Sequence, residues 1–311
     1  MSELPMPLFS IAIPTYNRAT GYLRQALEAA VAQEFSDLEI LVSDNCSTDD
    51  TESLVRAFAD PRIRYVKHPV NLGPAGNFKY CIEAARGNYW LMLHDDDLID
   101  ADFVATCMAA CAGRLDYGMI RTGVRLIDGK GVVIEQHLNA SRSESVDEFI
   151  LDWFGGRAPL YLCNTVFNRR QLLDVGGLVS KKNLYNDVVA EVRVAARSTI
   201  LNIQEVKASF RRHEENHGVS KRVRDWTDES AFLLEEIVKV GADKARLREV
   251  GQNYFCRKLY QRAETIPQLL DRWRCYRLIS DAFDNCYSPY KRLWDRTRSR
   301  VGRWRRRILP V

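Results

Sequence analysis

The residues with most chemical potential are His94, Asp95, Asp96 and Asp97, which follow directly on the apolar run Tyr89–Leu93. Three adjacent carboxylates repel one another, so a chain that gathers them at the end of a buried segment needs a cation, a helix terminus or ample water. The spacing Asp95-x-Asp97, with Asp96 between, suits a hard divalent cation such as Mg²⁺ or Mn²⁺, which prefers oxygen ligands and is commonly shared with substrate phosphates. The plainer alternative is a solvated acidic loop, or the N-cap of the helical segment 101–111 that follows. An apolar strand feeding the cluster, and Asp44 expected at the same sheet edge, favour the metal. A second carboxylate of interest is Asp187, which opens the apolar helical pattern 186–198, where an N-cap is favourable.

These residues need elements to position them. Segment 8–16 is a β-branched apolar run stopped by Pro14, and 22–33 repeats its apolar residues at helical spacing. Segments 38–44, 62–68 and 89–95 read as further strands, with helices over 51–59 and 77–87 between them. Strands apolar on both faces, alternating with helices, predict a mostly parallel sheet covered on both sides, an α/β fold of Rossmann type. In such sheets ligands gather at the carboxyl ends of the strands. Thr15, Tyr16 and Asn17 follow the first strand, Asp44 and Asn45 the second, and His94 to Asp97 the fourth, so the polar chemistry falls on one edge.

Beyond about residue 105 the pattern changes. Segment 116–136 predicts two antiparallel strands around the turn 128–131. A short helix follows over 145–156, with Ser145 as N-cap and Glu148 completing a capping box. Segment 158–177 gives a strand and a helix ending at Gly176 and Gly177, and the chain becomes helical and charged from about 225. The expected organisation is a domain over 1–222, a helical region over 223–286 and a tail over 287–311.

Composition narrows the classes. The 311 residues are 46% apolar, enough for a sizeable core and incompatible with wholesale disorder. The N-terminal sequence has no basic flank with an apolar signal region, and no 18-residue uncharged apolar run occurs, so a cytoplasmic location is expected. Eight scattered cysteines without a CxxC pair predict free thiols; Cys107 and Cys111, one helical turn apart, are a weak metal pair. Residues 287–311 contain nine Lys/Arg and one Asp, a local +8 against +4 for the whole chain, so the remaining body carries −4. In that tail Tyr290, Trp294, Thr297, Val301, Trp304 and Ile308 share one helical face and arginines fill the other. Trp with Arg suits the interface of an anionic leaflet, which predicts peripheral attachment to the inner face of the cell membrane; docking on the acidic body is the alternative, and nothing else supports nucleic acid.

The ordered series SIAIPTYNR, LEILVSDNCSTDDT, NLGPAGNFKYCIEAARGNYWLMLHDDD, NRRQLLDVGGL and NDVVAEVRVA, over roughly residues 8 to 215, resembles the inverting glycosyltransferases of family 2, which have the GT-A fold. The resemblance implies that Pro14, Thr15, Tyr16 and Arg18 contact the nucleotide, and that Asp44 accepts a hydrogen bond from the base N–H of uridine or thymidine. It extends nucleotide contacts to Asn71, Gly73, Asn77 and Asp95. It makes Asp96 the primary ligand of Mn²⁺ or Mg²⁺, with Asp97 and His213 as further ligands, and Asp187 the general base. Arg211 or Arg212, in the segment 209–218 that also carries His217, would contact phosphate. The chain departs from the family pattern in three places. His94 replaces the first Asp of the DxD motif, Gly76 replaces an Arg whose diphosphate contact would pass to Arg18 or Lys79, and Asn186 replaces the first acid of the ED pair.

The implied activity is transfer from a nucleotide diphosphate sugar, UDP-sugar first, to a hydroxyl of a saccharide or lipid-linked acceptor in cell-surface polysaccharide or glycolipid synthesis. Inversion requires the acceptor hydroxyl to lose its proton on one face of the sugar while the leaving diphosphate is neutralised on the other. Two alternatives remain: an inactive nucleotide-sugar-binding or scaffold protein, and a sugar-phosphate nucleotidyltransferase, for which PTYNRATG lacks the Gly-rich basic loop. Donor, acceptor and oligomeric state are not legible.

Overall fold

The nucleus of the fold is a set of parallel strands buried at every residue. In the computed structural model, which describes residues 6–213 and 222–284, β1 (Phe9–Thr15) pairs in parallel with β2 (Leu38–Asp44) along their whole length, from Phe9 opposite Leu38 to Thr15 opposite Asp44. β4 (Tyr89–Met92) lies on the other side of β1, with Phe9 opposite Tyr89 and Ala12 opposite Met92. Such strands show unbroken apolar runs because helices cover both faces. β3 (Ile63–Lys67) pairs in parallel with β2 and is only half-buried, contrary to the two-sided burial expected. It is the outermost strand and has one neighbour.

The connecting helices are α1 (Leu23–Val31), α2 (Thr51–Arg56) and α3 (Gly73–Ala84). α3 begins four residues earlier than its sequence pattern suggested. Gly73, at φ +71°, makes the entry turn, and Pro74 in the first turn presets the helical φ.

The strand ladder ends at Met92, and His94 to Asp97 form a turn in which the Asp97 N–H donates to the His94 carbonyl at 3.1 Å. The two-residue β5 (Leu98–Ile99) and α4 (Phe103–Ala110) follow. β6 (Met119–Ile127) and β7 (Val133–His137) form the predicted antiparallel hairpin, its turn closed by the Asp128 carboxylate accepting from Lys130 and Val132 N–H. After α5 (Val146–Phe154) a single 3-10 turn (Leu162–Asn164) leads into β8 (Thr165–Asn168), α6 (Arg169–Asp174), α7 (Asn186–Ala195) and the twelve-residue β9 (Ile200–Arg211). The sheet order is β3-β2-β1-β4-β8-β6-β9-β5, with β7 beside β6; β8 is antiparallel to both neighbours, and β9 runs parallel to β6. At α5 the Ser145 hydroxyl accepts from Glu148 N–H, but the Glu148 carboxylate reaches Glu144 N–H, so the capping box closes one residue earlier than expected.

Cys107 and Cys111 are core residues. Cys111 Sγ donates to the Cys107 carbonyl at 3.3 Å, and burial raises both thiols, so neither is a thiolate.

Contacts divide the chain into Met1–Asn216 and His217–Val311. The second unit contains α8 (Val223–Val240), α9 (Lys244–Ala263) and α10 (Leu269–Ala282). Phe255 stacks with Phe283 at 6.2 Å, and Tyr260 meets Tyr276 edge-on at 5.1 Å. Among the described residues no helix is long and apolar enough to cross a membrane. The basic tail 287–311, Cys286 and His217 lie outside the described residues.

Candidate functional site

The acid loop is held from three sides. Arg125 of β6 makes a two-pronged contact with Asp100, at 2.8 and 2.5 Å, and Lys207 of β9 reaches Asp102 at 2.5 Å. The third anchor is Arg211, the last residue of β9. Its backbone N–H donates to Asp97 Oδ1 at 2.9 Å, and its guanidinium donates to the carbonyls of Asp96 and Asp128 and to Gln25 Oε1 at 2.8, 3.2 and 2.8 Å. The guanidinium also lies over the Tyr22 ring, 4.2 Å from its centroid. Arg211 is fully buried and, through these bonds, is a clamp that shapes the loop. Arg212 is exposed and stands beside the Tyr161 hydroxyl.

One ligand atom from each of His94, Asp96 and Asp97 can be chosen so that all lie within 4.8 Å of one another. His213 Nε2 stands 2.8 Å from Asp96 Oδ2, which joins the two positions expected to share a metal. Asp97 is buried; desolvation, then the neighbouring Asp96 charge, raises its carboxyl well above the usual range against the pull of Arg211 N–H. Burial and then Asp96 push Asp95 up to about 6, while Arg18, 4.0 Å away, opposes the shift. His94 packs on Phe78 at 5.3 Å, with Nδ1 3.8 Å from Asp97 Oδ2. Burial lowers its pKa, so the ring is neutral at pH 7, and its Nε2 is buried without a hydrogen-bond partner among the described residues. Crowded carboxylates with raised pKa values, next to an orphaned imidazole nitrogen, are the signature of a site that fits a divalent cation.

The loops after β1 and β2 are laced together. Asn17, at φ +53°, donates its N–H to Ser47 Oγ at 2.8 Å, and its side chain accepts from Thr48 N–H at 2.9 Å. Ala19 N–H donates to Asp49 Oδ2 at 2.9 Å. Thr15 is buried and ends its strand opposite Asp44, whereas the Tyr16 ring is exposed. Pro14 belongs to the ladder, opposite Ser43. Asp44 is fully buried; Oδ1 accepts from Ser47 N–H at 2.8 Å and Oδ2 from the Tyr65 hydroxyl. Asn71 accepts from Asn45 Nδ2 and from Gly73 N–H, at 2.9 and 2.8 Å, which fixes the loop entering α3.

Asn77 ties two elements together. Its carboxamide is buried, accepts from Ser43 Oγ at 2.5 Å and donates to the Ser43 carbonyl at 3.0 Å, pinning α3 to β2. A Cβ at Gly76 would fall 2.9 Å from Leu72 Cβ, so a side chain there requires the loop to shift. Of the two substitutes weighed for that missing Arg, Arg18 faces the acid loop, whereas Lys79 pairs with Glu83 at 3.7 Å on an exposed surface.

Asp187 sits in the first turn of α7, with Oδ1 2.8 Å from Val188 N–H. Desolvation outweighs that bond and pushes its carboxyl up to about 6. Asn186 accepts from Ser180 Oγ at 2.7 Å, so the position without an acid anchors the preceding loop. One turn along α7, the fully buried Glu191 accepts from Thr165 Oγ1 at 2.9 Å and shares its surroundings with the fully buried Arg121. Burial pushes Glu191 up to about 8, Arg121 opposing and Asp187 assisting. Two residues before Thr165, Cys163 contacts Asp97, so β8 and its 3-10 turn connect the α7 cluster with the acid loop. Tyr65, Tyr22, Glu191 and Arg121 were not singled out from sequence; the i, i+4 spacing of Asp187 and Glu191 was the one available signal.

The glycosyl transferase family 2 model matches residues 10–174, just over half of the chain. A GalNAc(5)-diNAcBac-PP-undecaprenol beta-1,3-glucosyltransferase of Campylobacter jejuni is 38% identical over 106 residues, which are 33% of this chain and 34% of that enzyme. The match therefore spans about a third of that relative's length. Among solved structures, S. aureus TarS 1-349 in complex with UDP-GlcNAc superposes with a TM-score of 0.68 at 16% identity, covering 90% of this chain and 81% of TarS. The mannosyltransferase PcManGT of Pyrobaculum calidifontis, in complex with GDP-Man and Mn²⁺, gives 0.56 at 18% identity, covering 93% and 83%. At such identities these two show a shared fold. With the family model spanning both the loops after β1 and β2 and the acid loop, the chain belongs to glycosyltransferase family 2 and has the GT-A fold.

Proposed function

We propose that the chain is a metal-dependent inverting glycosyltransferase that moves a sugar from a nucleoside diphosphate sugar, UDP-sugar first, to a hydroxyl of a saccharide or lipid-linked acceptor. The observation that carries this reading is the cluster of His94, Asp96 and Asp97, completed by His213 on Asp96, at the end of a buried strand of the nucleotide-side sheet. A bound cation would supply charge stabilisation to the leaving diphosphate. Asp96, Asp97, His94 and His213 would hold it, and the imidazole nitrogens favour Mn²⁺ over Mg²⁺. The PcManGT complex contains Mn²⁺, the TarS complex contains UDP-GlcNAc, and the Campylobacter relative is named for an undecaprenyl-diphosphate-linked acceptor.

The chain's own residues divide the remaining work. Asp44, the ends of β1 and β2 and the Asn45–Asn71 loop form the base and ribose side, with Arg18, Asp95 and Arg212 towards the diphosphate. Asp187 accepts the acceptor hydroxyl's proton. Its raised pKa leaves it largely ionised at pH 7 yet basic enough to accept a proton in the transition state.

The test is turnover of a UDP-sugar panel with and without Mn²⁺, in wild type, Asp96→Ala and Asp187→Asn. The reading predicts Mn²⁺-dependent release of UDP that both variants lose, with UDP affinity retained in Asp187→Asn. An inactive binder, the reading favoured by His94 and Asn186 in place of acids, gives metal-dependent UDP affinity without turnover in the wild type.

A further inference from the structure

Asp44 is completely buried and both of its oxygens are engaged before any ligand arrives. The two donors differ in how firmly they are held. Ser47 N–H is part of the turn after β2, and Ser47 Oγ is tied in turn to Asn17 N–H, so that donor is fixed. Tyr65 comes from the edge strand β3, opposite Val42, and is half-buried. Its ring lies against the Arg56 guanidinium at 5.5 Å, and Arg56 is itself held by Glu52 at 2.9 Å on an exposed helix surface. Desolvation, and then the Asp44 contact, keep the phenol protonated and therefore a donor.

A nucleobase imide N–H brings the same kind of donor that the Tyr65 hydroxyl presents to Asp44 Oδ2. We propose that Tyr65 is a built-in competitor for the nucleobase, a specificity-determining residue whose hydroxyl covers Asp44 Oδ2; because Asp44 is completely buried, a uracil-type N–H takes that oxygen by displacing the hydroxyl rather than by finding an open lone pair. This inference rests on the nucleotide-binding reading of Asp44. Its consequence is a site whose affinity for the base is set below its intrinsic value by the cost of displacing one hydrogen bond. Selectivity follows as well. Tyr65 vacates Asp44 for a base that supplies a replacement N–H, whereas cytosine presents an acceptor at N3 and leaves the carboxylate with a poorer partner.

The experiment is calorimetric titration of the full chain with UDP and with CDP, in Mn²⁺, for wild type and Tyr65→Phe, with Tyr65→Leu as a second variant should the first fail to fold. Removing the hydroxyl is expected to tighten UDP binding about tenfold, the worth of one net hydrogen bond, and to leave CDP within about twofold. Unchanged or weaker UDP binding in the variant overturns the proposal, as does an equal gain for both nucleotides. Absence of UDP binding to the wild type overturns the underlying nucleotide reading and this inference with it.

Discussion

As the proposed base, Asp187 carries the most direct residue-scale prediction, because a base works only when unprotonated. With its carboxyl pushed up to about 6, the proton is gained as pH falls through 6, so kcat/KM should decline about tenfold per pH unit below that point. An ordinary carboxylate would place that limb near pH 4. Asp95 is also pushed up to about 6, but a cation at the loop would pull its carboxyl down, so the profile is measured at saturating Mn²⁺. Asp187→Asn should lower kcat by about 10² to 10⁴ and leave UDP affinity unchanged. Asn77 makes the opposite case. Both ends of its carboxamide bond Ser43, so Asn77→Ala should cost about 1–3 kcal/mol in chemical denaturation, with UDP affinity of the folded fraction intact. The same residue type serves a ligand or a neighbour, and sequence does not distinguish the two; only the placement of α3 against β2 does.

At the scale of elements, α7, β6 and β8 meet around Glu191, Arg121 and Thr165. Glu191 binds its proton more tightly when folded, at about 8, than an unfolded glutamate near 4.3. The resulting stability is fully present below the unfolded pKa and is lost as pH rises through about 8. Calorimetric melting between pH 6 and 9 should show Tm falling with pH, and Glu191→Gln, which stays neutral, should flatten that slope. Elements of this kind were unevenly legible. β1, β2 and β4 could be read because a parallel strand buried on both faces leaves a continuous apolar run. β9 escaped notice because its ILNIQEVKASFR alternates irregularly, with bulges against β6, and the two-residue β5 is below any pattern. The acid loop was legible from its run of carboxylates after an apolar strand, and His213, expected as a metal ligand from the resemblance of segment 209–218, lies 2.8 Å from Asp96. The clamp that positions them was not legible, since Arg211 differs from Arg212 in burial rather than in residue type.

For the molecule as a whole, charge is the property that local structure leaves unused. Residues 287–311 carry a net +8 while the rest of the chain carries −4, so the two parts respond oppositely to an anionic surface. Each Lys or Arg near such a surface contributes on the order of 1 kcal/mol, and nine of them, with two tryptophans, exceed what a single lipid chain supplies. If the acceptor is lipid-linked, holding the enzyme at the bilayer converts a search through volume into one over a surface, which raises the acceptor's effective concentration without any change at Asp187. Deleting residues 287–311 should therefore abolish co-sedimentation with phosphatidylglycerol vesicles while UDP affinity stays at the full-length value. Binding of the full chain should fall steeply as salt rises from about 50 to 500 mM, because the attraction is screened within a Debye length. Vesicle binding that persists in the truncated protein, or that is indifferent to lipid charge, would show that the tail serves another purpose.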